Sequence, residues 1–492
     1  MSRIVVVSNR VAVPQRSGVT AGGLAVAVNA ALKDKGGIWF GWSGRICPEP
    51  SEIPEVTRKA GITYAVVDLK AEDHQEYYNG FANRVLWPVL HYRVDLSEFF
   101  RSDLSGYIRV NRMFADHLEK IIRPDDILWI HDYHMMPLAK YLRERGHKNR
   151  IGFFLHIPMP PSDIVQALPQ HGETVGALAY YDLVGFQTEG DRDNFAHYLE
   201  TRGGQMTPDG TGVDIGGRRV RLGTFPVGIE TAAFARRARH ASRAAFVKSF
   251  RDSLVGKKLI IGVDRLDYSK GIPNRLEAYE HFLKTRPDWH ERVTFVQITP
   301  KSRTDVPEYQ EMDRYVSHKA GQINGAYSDV SWTPLRYVNR TYSRSALAGF
   351  YRAAHVAMVT PLRDGMNLVA KEYVAAQDPA DPGVLILSQF AGAAAEMGTG
   401  ALIVNPHDTE GMANALRRAL EMPLAERRER YARMMQVLEA RDIDRWAADY
   451  LAALAPETAT VERRGVSLPR AAIRSVVRLP GAWRSDLVPR GV

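Results

Sequence analysis

DILWIHDYH (126–134), GFFLHIP (152–158) and LVGFQT (183–188) decide the fold. Each is a short apolar run that ends in polar or ionisable residues, and amphipathic stretches separate them. Runs of this length, apolar on both faces, read as strands of a parallel sheet covered by helices on either side. The same pattern extends outward. IVVVSNR (4–10), IWFGWSG (38–44) and YAVVDL (64–69) are further strands, and LAVAVNAAL (24–32) is a helix. The Gly-rich region 202–221 reads as a variable hairpin. At FPVGIE (225–230) the alternation pauses and a basic helical stretch follows, ARRARHASRAAFVKSF (235–250). It resumes with KKLIIGVDRLDYSKG (257–271), VTFVQIT (293–299), VAMVTPLRDG (356–365) and VLILSQFAG (384–392). The pattern predicts an α/β protein with two doubly wound, Rossmann-like domains facing across a cleft. The expected boundaries are 1–232 and 233–440. A C-terminal helix within 441–455 and a basic, flexible tail over 456–492 complete the division.

Composition narrows the classes. A chain of 492 residues exceeds one ordinary hydrophobic core. With 45% hydrophobic and 25% charged residues it is neither collagen-like, disordered nor coiled-coil. One cysteine, Cys47, excludes an intramolecular disulfide and a multi-cysteine metal site, which fits a cytoplasmic protein. No run reaches the length of a membrane span, and the N-terminal apolar run is too short for a signal peptide. The net charge is +9, but residues 463–492 carry seven Arg against the single Asp486. A nucleic-acid reading therefore rests on the tail alone, and no nucleic-acid partner is expected.

Chemistry concentrates in the loops after the strands, where doubly wound folds bind ligands. Arg10 closes the first strand. Gly22-Gly23 opens a helix and is either a simple turn or a place where backbone amides face an anion. Asp132 and His156 each end an apolar run, and His156 is either a structural or a functional imidazole. Arg265 and Lys270 share one loop, suited to a diphosphate or to surface ion pairs. Arg303 follows another strand. Asp364, Gly365, Met366 and Asn367 precede a helix starting near Leu368, so their amides could cradle hydroxyls and phosphate, and Glu372 one turn on could accept from a ribose. No P-loop, H-E-x-x-H, zinc array or G-x-G-x-x-G appears. Asp209-Gly210-Thr211 has Thr207 where a D-x-D-G-T phosphatase signature requires Asp. These residues alone imply an enzyme that handles a nucleotide diphosphate and a second anion.

Longer blocks make the pattern specific. VVVSNR, AGGLAVAV, GGIWFGWSG, EYYNGFAN, VLWPVLHYR, WIHDYH, RIGFFLHIP, GFQTE, DRLDYSKG, WTPL and TPLRDGMNLVAKEYVAAQ, spread over about residues 3–455, closely resemble the trehalose-6-phosphate synthase family. The resemblance implies the GT-B architecture and retaining transfer of glucose from UDP-glucose to glucose 6-phosphate. It implies a donor site of Gly22, Gly23, Arg265, Lys270, Tyr342, Asp364, Gly365, Met366, Asn367, Leu368, Val369 and Glu372, with Tyr342 on the nucleobase side. It implies an acceptor site of Arg10, Tyr78, Asp132 and Arg303, with Trp87 and His156 shaping the anomeric outcome. Asp132, His156, Arg265, Lys270 and Trp87 form the implied catalytic set. The implied mechanism is front-face substitution, with no cofactor and no metal, in a homo-oligomer (dimer or tetramer). In AGAAAEMG (391–398) Ala395 stands where a polar residue is expected, which bears on local helix capping only. Two rivals share the fold: a pseudo-glycosyltransferase acting on cyclitols, which the intact EYYN and RDGMNLV blocks disfavour, and a non-catalytic sugar-phosphate sensor, which would have lost Arg265, Lys270 or Asp132.

Overall fold

The computed structural model describes residues 2–13, 28, 32, 36–301 and 307–455. Gly22, Gly23, Arg303 and the 456–492 tail lie outside them. Of the expected 24–32 helix only Val28 and Leu32 are described; both are helical and buried.

Among the described residues the first sheet has ten strands: β1 Ile4–Arg10, β2 Gly37–Ile46, β3 Glu55–Lys59, β4 Ile62–Leu69, β5 Ile127–His131, β6 Arg150–Phe154, β7 Leu183–Phe186, β8 Gln205–Met206, β9 Gly212–Ile215 and β10 Arg218–Thr224. Their order is β3-β4-β2-β1-β5-β6-β7-β10-β9-β8. The interior is parallel, in the register Val5↔Ile38, Val6↔Trp129 and Ile130↔Phe153. Antiparallel pairs occur only at the two edges, where β3 lies on β4 and the 202–221 region forms β8, β9 and the start of β10. Val5, Val6 and Val7 are fully buried, as a strand covered on both faces requires.

The second sheet is wholly parallel: β11 Lys258–Val263, β12 Val293–Ile298, β13 Leu335–Val338, β14 Val356–Val359, β15 Val384–Ser388 and β16 Leu402–Val404, in the order β13-β12-β11-β14-β15-β16. Numbered within itself, this sheet runs 3-2-1-4-5-6, the doubly wound order. The core of the first sheet, β4-β2-β1-β5-β6-β7, runs the same way. Strand order therefore reverses between β1 and β5, and again between β11 and β14. At those two points the flanking helices diverge and leave a crevice beyond the carboxyl ends of the strands.

One hydrophobic core takes residues from both halves, including Val6, Trp129, Ile261, Val359, Trp446 and Tyr450. The helix Ile443–Leu454 lies on the first sheet: Tyr450 Oη donates to the Phe153 carbonyl at 3.0 Å and its ring stacks on Trp129 at 4.7 Å. Residues 227–231 and 438–443 run side by side, with the Ile443 amide bonded to the Ile229 carbonyl and Thr231 Oγ1 to Leu438. Buried Lys371 clips this crossing, donating to the Val227 carbonyl (2.7 Å) and to Glu396 (2.5 Å).

Candidate functional site

Both reversal points carry ionisable residues. In the first sheet β1 ends at Arg10, β5 is followed by Asp132 and β6 by His156. In the second, β11 leads into Arg265 and a tight turn, Tyr268–Lys270, and β14 leads into Asp364. A strand's last buried residue releases the chain at the crevice, so the next polar side chain is delivered to it.

The second-sheet residues Lys270, Asp364, Gly365 and Asn367 form one hydrogen-bonded group. Lys270 Nζ lies 2.6 Å from Asp364 Oδ2, each side chain 12% exposed. The same carboxylate accepts from Asn367 Nδ2 at 3.0 Å, and its other oxygen from the Gly365 amide at 3.0 Å. Asn367 is left-handed (φ 70°) and caps the helix Leu368–Ala376, accepting from the Ala370 amide at 3.4 Å. Met366 is buried, and Leu368 and Val369 are half-buried on the first turn. Gly271, also left-handed (φ 62°), brings the lysine turn against the Thr360 carbonyl, which a Cβ there would overlap. Glu372 faces Arg344 at 3.4 Å, and burial raises its pKa above the usual carboxylate range. Tyr342, two residues before Arg344, packs edge-on against Phe350.

The two halves meet at this group. Gly365 seats directly on the main chain of His156, and any Cβ at 365 would overlap the His156 carbonyl oxygen. Arg363 lies 3.7 Å from the ring centre of Tyr92. The Arg265 guanidinium lies 4.9 Å from the ring centre of Trp87 and 3.5 Å from Asp267. Trp87 Nε1 in turn donates to Asp267 at 3.4 Å.

On the first-sheet side, Arg10 lies over Trp42 (5.8 Å), Trp42 packs on Tyr78 (6.0 Å), and Tyr78 stacks on His134 (5.9 Å). Tyr133 continues the row to Trp87 at 5.8 Å. An aromatic chain thus leads from Arg10 to Arg265. Tyr78 projects from a wide helix, His74–Leu86, with i→i+5 geometry, which runs directly into the turn bearing Trp87. Such π-type segments are rare and cluster at functional sites. Asp132 has φ 74°, a strained value for a residue with a Cβ, and its Oδ1 accepts from the His156 amide at 3.4 Å.

Three residues not singled out in the sequence belong to the site. Asp267, with no solvent exposure, accepts from Trp87 Nε1, from Tyr309 Oη at 3.1 Å and from the Ser269 amide at 3.0 Å. His131 faces His156 ring to ring, Nδ1 to Nε2 at 3.0 Å. Burial drives the His156 pKa down to about 3 and that of His131 well below its usual value, so both rings stay neutral. His91 holds the Trp87 carbonyl at 2.7 Å; burial lowers its pKa to about 4, with Asp267, Lys270 and Asp364 all close enough to act on it. Asp267 stood within the DRLDYSKG block and His131 within WIHDYH, but no local feature marked either as buried against the opposite half or a neighbouring loop. Among the described residues no group of three or more His, Cys, Asp or Glu side chains could hold a metal ion, and no helix is long and apolar enough to cross a membrane.

Two doubly wound sheets that meet at their carboxyl edges, with fixed cations on one side and a polar turn on the other, define the GT-B glycosyltransferase architecture. The sequence pattern of "Glycosyltransferase family 20" matches residues 3–456. The trehalose-6-phosphate synthase of Sinorhizobium fredii is 54% identical over 94% of this chain and 100% of its own length. The crystal structure of an α,α-trehalose-phosphate synthase (UDP-forming) from Burkholderia vietnamiensis superposes with a TM-score of 0.90 at 50% identity, covering 92% of this chain and 97% of that one. A Burkholderia xenovorans enzyme of the same name, in complex with glucose-6-phosphate, superposes at 0.89 with 46% identity over 92% and 100% of the two chains. The chain belongs to glycosyltransferase family 20.

Proposed function

We propose that this chain transfers the glucosyl group of UDP-glucose to glucose 6-phosphate, giving α,α-trehalose 6-phosphate and UDP with retention at the donor anomeric carbon. The observation that carries this reading is the seating of Gly365 on the His156 main chain, which brings the Lys270–Asp364 group beside the Asp132–His156 turn. A donor held by the second sheet then presents its anomeric carbon to an acceptor held by the first.

In this reading the N-terminal half, to about residue 232, holds the acceptor and residues 233–440 hold the donor. Arg265 and Lys270 take the diphosphate, and Lys270 exchanges its contact with Asp364 for the phosphate oxygens. Asp364 and the 365–367 amides then hold the glucosyl hydroxyls. Leu368 and Val369 add first-turn amides, Glu372 takes the ribose, and Tyr342 lies beside the base. Arg10, Tyr78 and Arg303 take the acceptor phosphate, and Gly22 and Gly23 belong to the donor site. Guanidinium forks make charge-assisted bonds that neutral glucose could not replace.

The bond from the anomeric carbon to the β-phosphate oxygen breaks as the acceptor oxygen bonds to the same face. The acceptor proton passes to the departing phosphate oxygen, so no carboxylate nucleophile is needed. Negative charge grows on the leaving UDP, where fixed cations act most strongly. Asp132 orients the acceptor sugar, Trp87 backs the Arg265 guanidinium, and neutral His156 offers a ring nitrogen without adding charge. Because Arg265 and Lys270 supply the positive charge, transfer should continue in EDTA. The chain works in the cytoplasm, where both phosphorylated substrates are made, as a dimer or tetramer. The test is incubation with UDP-, GDP- and ADP-glucose and glucose 6-phosphate, with and without EDTA, followed by product identification. Trehalose 6-phosphate and UDP are expected; a product formed only from a cyclitol, or none, would overturn the reading.

A further inference from the structure

The geometry points to a second anion site, separate from the transfer cleft, that binds a compact multivalent phosphate of the pyrophosphate class. A cavity of about 260 Å³ is lined by Arg239, Arg243, Arg251 and Arg352, with Ser242 and Asp378. It lies beside Arg352 and Ala353, just ahead of the first residue of β14, whereas the cleft lies beyond the last residue of that strand. The two are at opposite ends of the sheet.

The basic stretch 235–250, which the transfer reaction leaves unused, supplies two of the four arginines. The helix Thr231–Ala241 carries Arg239, the turn after it Arg243, the helix Ala245–Asp252 Arg251, and the helix Arg344–Ala353 Arg352. Arg352 is already spoken for: it donates to the Ala376 and Gln377 carbonyls at 3.0 and 2.9 Å and to Asp378 at 2.8 Å. Asp378 is thereby committed too. Among the described residues, Arg239, Arg243 and Arg251 are exposed and have no carboxylate within ion-pair distance, so their guanidinium groups are open to an anion. Three like charges from one helix, the turn after it and the next helix line one hollow and repel each other, and a multivalent anion relieves that repulsion. Guanidinium forks match phosphate oxygens two at a time. The volume falls below the roughly 300–1,000 Å³ of sites for larger ligands, which favours a compact anion over a nucleotide.

Equilibrium dialysis of the full chain with labelled inorganic pyrophosphate tests this. Arg243→Glu/Arg251→Glu removes the cavity charge. Arg236→Glu/Lys248→Glu makes the same change in charge on the same stretch outside the cavity. The wild type should bind one equivalent more than the cavity variant at 0.15 M salt, the control variant should keep that equivalent, and all three should transfer glucose at the same kcat. Equal stoichiometry in wild type and cavity variant would overturn the site. Equal loss in the control would also overturn it, reducing the effect to diffuse charge. Should the cavity variant melt early, Arg243→Gln/Arg251→Gln is read by the same criteria, with at least tenfold weakening expected.

Discussion

Asp267 takes its partners from both halves of the molecule and is fully buried. A buried carboxylate is tolerated only when donors surround it, and here Trp87, Tyr309, Ser269 and Arg265 do so. In the proposed reaction it holds Arg265 where the diphosphate would lie. Asp267→Asn keeps the shape and removes the charge. Losing a charged hydrogen bond of about 1.5–3 kcal/mol predicts a fall in kcat/KM of roughly ten- to a hundredfold, with the melting temperature checked alongside. Unchanged kinetics would remove Asp267 from the site. Arg303→Ala should act differently, raising the KM for glucose 6-phosphate more than it lowers kcat; an unaltered acceptor KM would contradict its place on the phosphate. The ionisable residues that end apolar runs, Asp132, His156, Arg265 and Asp364, were legible because a core has no use for them there. Asp267 was not, because its burial depends on Trp87, 180 residues away, and on Tyr309, 42 away.

At the scale of elements, the loop from Arg363 to Asn367 is the join between the halves. Gly365 has no room for a side chain, and Asn367 pays a left-handed conformation to cap the next helix. Gly365→Ala must displace either this loop or the His156 main chain. A misplacement of about 1 Å predicts a loss in kcat of roughly a hundredfold while far-UV circular dichroism stays native. Full activity would mean that the halves do not work in this close contact. The strands buried on both faces were readable from their unbroken apolar runs. The segment His74–Leu86 was not, since an i→i+5 helix leaves no 3.6-residue period in its apolar residues. β3 escaped because all five of its residues are exposed at the sheet edge, and β16 because it has only three residues.

For the whole molecule, two sheets with the same strand order place two crevices face to face, and burial there keeps several imidazoles neutral. His156 and His91 titrate at about 3 and 4 in the folded protein, against about 6.5 in the unfolded chain. Between those values the unfolded state binds more protons, so stability is fully present above about pH 6.5 and is lost as pH falls toward 4 and below. The cost is on the order of a few kcal/mol. Calorimetry should show the melting temperature dropping between pH 7 and pH 5, where ordinary carboxylates remain ionised; a flat profile would contradict the burial of these rings. The alternation of strand and helix made this two-sheet plan legible, while the contacts across it, such as Arg363 on Tyr92, depend on how the halves close.

The most direct measurement is single-turnover transfer by Lys270→Ala, with the dissociation constant for UDP-glucose measured on the same protein. If cations gathered from distant segments stabilise the departing UDP, the rate should fall by roughly 10²–10³ while donor binding weakens far less. An unchanged rate with a raised dissociation constant would show that Lys270 merely holds the donor, and that the leaving group is stabilised elsewhere.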